Sequence, residues 1–139
     1  YYVWGQIGMK MAKLKPNMEE IDSATIKNNI LTEKEHYFHE GPHMVKRNGI
    51  YYLVYAHMGR KNKPTCIGYA MSKKPMGPYT YGGVIIDNEG CDPSNWNNHG
   101  SIAEFNQNWY VFYHRTTNNS IFKRKACVEP ISFDKNGFI

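Results

Sequence analysis

Apolar and polar positions alternate along this 139-residue chain in short bursts cut by turn residues. A period of two marks half-buried strands. Tyr1-Tyr2-Val3-Trp4-Gly5 opens the chain as one strand. Residues 8–14 alternate as a second, stopped by Pro16-Asn17. Residues 21–30 read as a weak strand within a polar loop. Glu33-Lys34-Glu35-His36 is a charged run, a solvated loop or a single helical turn. Residues 44–46 and 50–57 are strands around Arg47-Asn48-Gly49, and Asn-Gly is a strong hairpin signal. Residues 66–72 and 79–87 follow, after a basic loop at 60–64. They are joined by the turn Pro75-Met76-Gly77-Pro78, with a bulge expected at Gly82-Gly83. Residues 88–98 form a long polar loop that holds Trp96. Residues 101–105 and 109–114 make another hairpin, and strands at 122–128 and 131–133 close the chain. No helix is predicted, so the fold class is all-β.

The strands repeat. Gly49-Ile50-Tyr51-Tyr52-Leu53-Val54-Tyr55-Ala56-His57 lies over Gln107-Asn108-Trp109-Tyr110-Val111-Phe112-Tyr113-His114-Arg115 at an offset of 58 residues. At that offset Glu40 falls on Asn98 and Gly41 on His99. Tyr1-Tyr2-Val3-Trp4-Gly5 resembles Tyr52-Leu53-Val54-Tyr55-Ala56 in turn. Four-stranded units at a period of about 40–50 residues, stretched by loops, are the signature of a β-propeller. The expected partition is the tail of one blade and a linker over 1–39, a blade over 40–97 and a following blade over 98–139. A propeller needs about four blades or more to close, and the chain opens directly in a strand. Both features lead us to expect a fragment of a longer chain.

Composition narrows the function classes. Aromatic residues make up 14%, with 11 Tyr, which suits strands. The net charge is +5 and the pI about 9.1, but Lys and Arg are spread along the chain with no basic stripe for nucleic acid. Cys66, Cys91 and Cys127 have no metal-ligand spacing and, being three, close no disulfide framework; each is expected to be a buried free thiol. No stretch is long and apolar enough to span a membrane as a helix.

The candidate chemistry centres on Phe38-His39-Glu40-Gly41-Pro42-His43-Met44. Glu40 is expected where a loop enters a strand, with Pro42 at the first strand position, where its missing N–H costs no ladder bond. A carboxyl flanked there by aromatic and His side chains can be partly desolvated, which raises its pKa toward that of a general acid. Taken alone, this spacing favours a solvated loop residue. The propeller geometry changes the weighing. Loops entering the first strand of a blade, and loops joining its second and third strands, open on one face, so Glu40, His99, residues 57–64 and residues 115–120 converge on one mouth. The first strand is innermost, which brings Glu40 and His99 near the axis.

The order of these motifs resembles glycoside hydrolase family 43. Phe38-His39-Glu40-Gly41-Pro42 before Gly49-Ile50-Tyr51-Tyr52-Leu53-Val54-Tyr55 is similar to that family's acid motif. Asn98-His99-Gly100-Ser101-Ile102-Ala103-Glu104-Phe105 with Trp109-Tyr110-Val111-Phe112-Tyr113-His114-Arg115 is similar to its last-blade motif. The ending Phe122-Lys123-Arg124-Lys125-Ala126-Cys127-Val128-Glu129-Pro130, with Asn136-Gly137-Phe138-Ile139, fits as well. The resemblance implies a five-bladed propeller and a mostly inverting chemistry on arabinose- and xylose-containing plant polysaccharides. It makes Glu40 the general acid and puts His99 at the axis, beside a Ca2+ held largely through waters; no organic cofactor is implied. A sugar-binding Arg is implied in the last blade, Arg124 ahead of Arg115, and Trp96 is a further substrate-binding candidate. The partner is a pentose-containing oligo- or polysaccharide, and the setting a secreted or periplasmic enzyme.

The chain also departs from the family pattern. The aspartate general base and the aspartate that tunes the acid are both missing from it, and Asp87 and Asp92 do not match their motifs. The isolated fragment is therefore expected to be inactive. Two other readings remain open, a non-catalytic carbohydrate-binding propeller and a protein-interaction propeller.

Overall fold

The computed structural model describes residues 1–96 and 98–139. Nine strands form three antiparallel sheets: β1 (Tyr2–Trp4) with β2 (Lys10–Ala12); β3 (Phe38–Arg47), β4 (Ile50–His57), β5 (Cys66–Ser72) and β6 (Thr80–Ile86) in that order; and β7 (Gly100–Phe105), β8 (Asn108–Thr117) and β9 (Ser120–Ile131) in that order. Among the described residues the one α-helical turn is α1 (Glu33–His36). Thr32 caps it, its hydroxyl accepting from the Glu35 N–H at 3.2 Å, and Glu33 and Glu35 suit the positive end of its dipole. Tyr37 ends it in the left-handed conformation.

The strand predicted over 21–30 does not form. Asp22 instead caps a 3-10 turn at Ser23–Thr25, its carboxylate accepting from the Ala24 N–H at 3.2 Å, and only single bridges, Leu14 to Ile21 and Met11 to Lys27, touch the segment. An Asp that captures a local N–H competes with any ladder. The Asn48-Gly49 hairpin forms as expected, with positive φ at both residues (47° and 79°). The bulge at Gly82-Gly83 is also present, since the register of β5 with β6 shifts between Tyr69 and Ala70.

The last sheet differs from expectation in two ways. Residues 115–120 are not an open loop: the β8–β9 ladder runs on to the pair Thr117–Ser120, around Asn118-Asn119 with φ of 55° and 47°. Asn tolerates the left-handed region well enough to make this turn without glycine. The separate fourth strand at 131–133 is absent, because β9 continues through Pro130 to Ile131. Pro130 is admissible there, β9 being an edge strand. Beyond it, Asp134 accepts from the N–H groups of Asn136 and Phe138, both at 2.8 Å, and bends the chain back. The segment then docks on the second sheet: Tyr52 donates to the Gly137 carbonyl at 2.7 Å, and the Ile139 N–H donates to Tyr69 at 2.9 Å.

The four-stranded sheet is buried on both faces, which explains the unbroken apolar run of β4. Leu53 and Tyr55 pack with Met9, Met11, Leu31 and Phe38 toward the first sheet. Tyr52 and Val54 pack with Ile67, Tyr69, Ile102 and Val111 toward the third. All three cysteines are free, but only Cys66 is buried; Cys91 and Cys127 are half-buried, because both lie in or beside the less covered third sheet.

Candidate active site

Glu40 lies inside β3, not before it. The ladder with β4 begins two residues earlier, at Phe38–His57, and shifts register on either side of Glu40–Ala56. His39 is the extra residue of the first irregularity, and Gly41-Pro42 fall in the second. Pro42 is therefore not at a first strand position; a bulge on an edge strand accommodates its missing N–H. The irregularity has a use. Gly41 sits at φ 63°, and a Cβ there would overlap the His99 ring, 2.6 Å from Nε2. With no side chain at Gly41, His99 lies against the backbone of β3 and its Nε2 comes 3.7 Å from Glu40 Oε1. That separation permits electrostatic contact but is too long for a hydrogen bond. Both side chains stay partly open, 31% exposed for Glu40 and 42% for His99.

His99 is held from behind. Its N–H donates to His114 Nε2 at 3.2 Å, so the neutral His114 carries its proton on Nδ1. Burial, with the charges of Arg124 and His99 adding to it, holds the His114 pKa below the usual histidine range. Asn98, just before His99, is buried and donates to the Thr65 carbonyl at 3.1 Å. On the other flank His39 Nδ1 meets Glu33 Oε1 at 2.8 Å, and its ring stands edge-on to Trp96 with centroids 6.2 Å apart. Lys63 lies over the opposite partner of that contact, 5.9 Å from the Trp96 ring centroid. His43 ties β3 to β7 through the Ile102 carbonyl at 3.3 Å.

Glu40 and His99 thus come together, and Trp96 reaches the same flank through His39. Arg124 is exposed on β9 opposite Thr116, near enough for its charge to act on His114. Arg115 is engaged elsewhere. Its guanidinium donates to Cys91 Sγ at 3.1 and 3.3 Å and to the Glu89 carbonyl at 3.1 Å. It lines a cleft of 440 Å³ with Ile86, Asp87, Tyr113 and Glu129, which does not include Glu40 or His99. Sequence reasoning missed Glu33, His39 and His114 as supports. His39 stood inside the motif and His114 inside the repeat, but nothing in spacing announces a hydrogen bond from a helical turn six residues upstream.

A calcium ion would take six to eight oxygens. Among the described residues no group of three or more His, Cys, Asp or Glu could hold a metal, and His99 turns its Nε2 to a single carboxylate. An ion beside His99 would have to take most of its oxygens from water.

Known proteins are similar to this chain in sequence and fold. The profile of glycosyl hydrolases family 43 matches residues 1–139. A xylosidase/arabinosidase of Thermoclostridium stercorarium is 38% identical over 117 residues, 75% of this chain and 24% of that protein. A β-xylosidase of Xylanibacter ruminicola is 33% identical over 106 residues, 75% of this chain and 31% of that one. An α-L-arabinofuranosidase of Clostridium thermocellum superposes with a TM-score of 0.76 at 27% identity, covering 98% of this chain and 46% of that one. A β-xylosidase/α-arabinofuranosidase from a compost microbial metagenome, solved with xylotriose in a calcium-free form, gives 0.72 at 31% identity over 94% and 41%. The chain spans about a quarter to a third of those curated relatives' length. The solved relatives are five-bladed β-propellers, and the three sheets are part of that fold. With its whole length matched by the profile, the chain belongs to glycosyl hydrolases family 43.

Proposed function

We propose that this chain belongs to a glycosidase that cleaves xylose- or arabinose-containing glycans with inversion, and that Glu40 is its general acid. The observation that carries this reading is the apposition of Glu40 and His99 across Gly41. The irregularity of β3 on either side of Glu40 leaves an accessible carboxyl beside His99. Similarity to xylosidase/arabinosidases, and to a neighbour solved with xylotriose, supports this choice of substrate class.

In such a reaction Glu40 gives its proton to the glycosidic oxygen as the bond to the anomeric carbon breaks. A water deprotonated by a second carboxylate attacks from the opposite face, so the two carboxyls stand roughly 6.5–9.5 Å apart. That base, and the further aspartate of the family pattern, lie outside these 139 residues. His99, too far for a hydrogen bond to Glu40, does not compete for the proton to be donated. Trp96, beside His39, is the aromatic candidate for stacking on a sugar. Arg124, whose charge reaches His114 behind His99, is the candidate for sugar hydroxyls ahead of Arg115, whose guanidinium lines a separate cleft.

The test uses leaving groups of different quality in the full-length enzyme. A sugar alcohol leaves only with a proton, whereas an activated phenol leaves nearly unaided. Glu40→Gln keeps the shape but has no acidic proton. It should lower kcat on oligosaccharides by about 10²–10⁴-fold and on an activated aryl glycoside far less. Equal losses on both substrates would remove Glu40 from the acid role.

A further inference from the structure

The loop that leads into His99 begins and ends on one atom. Asn88 and Asn98 stand at its two ends, and both donate Nδ2 to the Thr65 carbonyl at 3.1 Å. A carbonyl only accepts, so the orientation of both amides is fixed by chemistry. Their Oδ1 atoms must then face away from Thr65. Both residues are buried, 8% and 2% exposed, and neither Oδ1 has a protein partner. Arg60 reaches the same place. Its N–H donates to Thr65 Oγ1 at 3.0 Å and its Nη2 to the Asn88 carbonyl, while its buried Nε has no partner. Arg60, Asn88 and Asn98 line one cavity together with Thr65, Asp92 and Thr116.

The size and polarity of this cavity select its occupant. Its volume is about 10 Å³, close to the lower limit for a single water and too small for anything larger. A cation would face the Arg60 guanidinium and leave Nε–H without an acceptor. An anion would face two amide oxygens. A water matches the set: it accepts from one N–H and donates to two oxygens. We propose that Arg60 Nε, Asn88 Oδ1 and Asn98 Oδ1 bind one ordered water, and that this water clasps the segment from Asn88 to Asn98 against the 60–65 turn and so fixes His99. Arg115 holds the same segment further along, through Glu89 and Cys91. With the His99 N–H fixed on His114, the backbone entering β7 is anchored on both sides. The proposal stands whether or not Glu40 is a general acid.

Two measurements on the intact protein test it, neither of them needing activity. A crystal structure at atomic resolution should show one water peak within hydrogen-bond distance of all three atoms. No peak, a peak with the short oxygen contacts of a metal ion, or protein partners on these atoms would overturn the site. Hydrogen exchange on Asn88→Ala then tests the clasp. The His99 amide should exchange roughly five- to tenfold faster, the loss of about one hydrogen bond's protection, while the Tyr55 amide in β4 is unchanged. Unchanged His99 exchange, or an equal rise at Tyr55, would overturn the clasp. If the variant does not fold, the wild-type crystal structure still decides whether the water is bound.

Discussion

At the scale of single residues, the site turns on a missing side chain. Gly41 does two things that no other residue can do together: it takes φ 63°, and it leaves room for the His99 ring. An Ala there would cost about 1–2 kcal/mol in the left-handed backbone, and its Cβ would displace the imidazole. Gly41→Ala should therefore lower the melting temperature of the intact enzyme. Under the proposed acid role it should also lower kcat/KM by on the order of 10²-fold, the penalty of an ångström-scale misplacement. Activity measured well below the melting temperature separates the two effects. A folded variant with wild-type kcat/KM would show that the position of His99 does not matter to the reaction. The need for glycine here was only half legible in the sequence. Gly41-Pro42 announced a bend, but the partner that forbids a Cβ arrives from 58 residues further on.

At the scale of elements, β4 carries the core and also a titratable group in it. His57 is buried at the end of β4, stacked between Tyr55 and Tyr81 with Tyr37 beside them, and pairs through Nε2 with the Tyr81 hydroxyl at 2.8 Å. Gly68, diagonal to it on β5, leaves the slot that the ring fills. Burial pushes its pKa down from 6.5 to about 4. The folded state thus holds His57 neutral where the unfolded chain would protonate it. Its stability is fully present above pH 6.5 and is lost as the pH falls through about 4. Urea unfolding of the intact protein should weaken across that window, with His57 contributing at most about 1.4 kcal/mol per pH unit. In His57→Gln that part of the slope should vanish. An identical slope in wild type and variant would mean that His57 is charged in the fold. The hairpins of this sheet were legible because Asn48-Gly49 and the alternating run that follows are local signals. The failures were non-local or competitive. Asp22 diverted 21–30 into a capped turn, and Asn118-Asn119 made a tight turn without glycine. The gap expected between 122–128 and 131–133 closed, because an outer position let β9 run through Pro130.

At the scale of the whole molecule, the three sheets cover one another unevenly. The second is packed on both faces. The third is packed on one, through Ile102, Val111 and Tyr113. Its other face turns Phe112 outward, paired with Val128 on the neighbouring strand, and they are 41% and 55% exposed. Phe105 and Phe122 on the same sheet are 64% and 86% exposed. β9, twelve residues long, is the outer strand of this sheet. Exposed aromatic side chains on a sheet that ends in an outer strand invite association. In a five-bladed propeller each sheet lies between two others, and the solved relatives are more than twice as long as this chain. Stability in such repeat architectures is a sum over neighbouring interfaces, and here one face of the third sheet has no neighbour. The 139-residue chain alone should therefore bind a hydrophobic dye, associate as its concentration rises and melt broadly. The decisive comparison is Phe112→Ser with Phe122→Ser against the unaltered chain. If the exposed face drives association, the double variant should shift the sedimentation profile toward monomer while far-ultraviolet circular dichroism keeps its β signature. A monomeric unaltered chain with a sharp two-state melt would show that the two covered interfaces are enough, and that this face needs no partner.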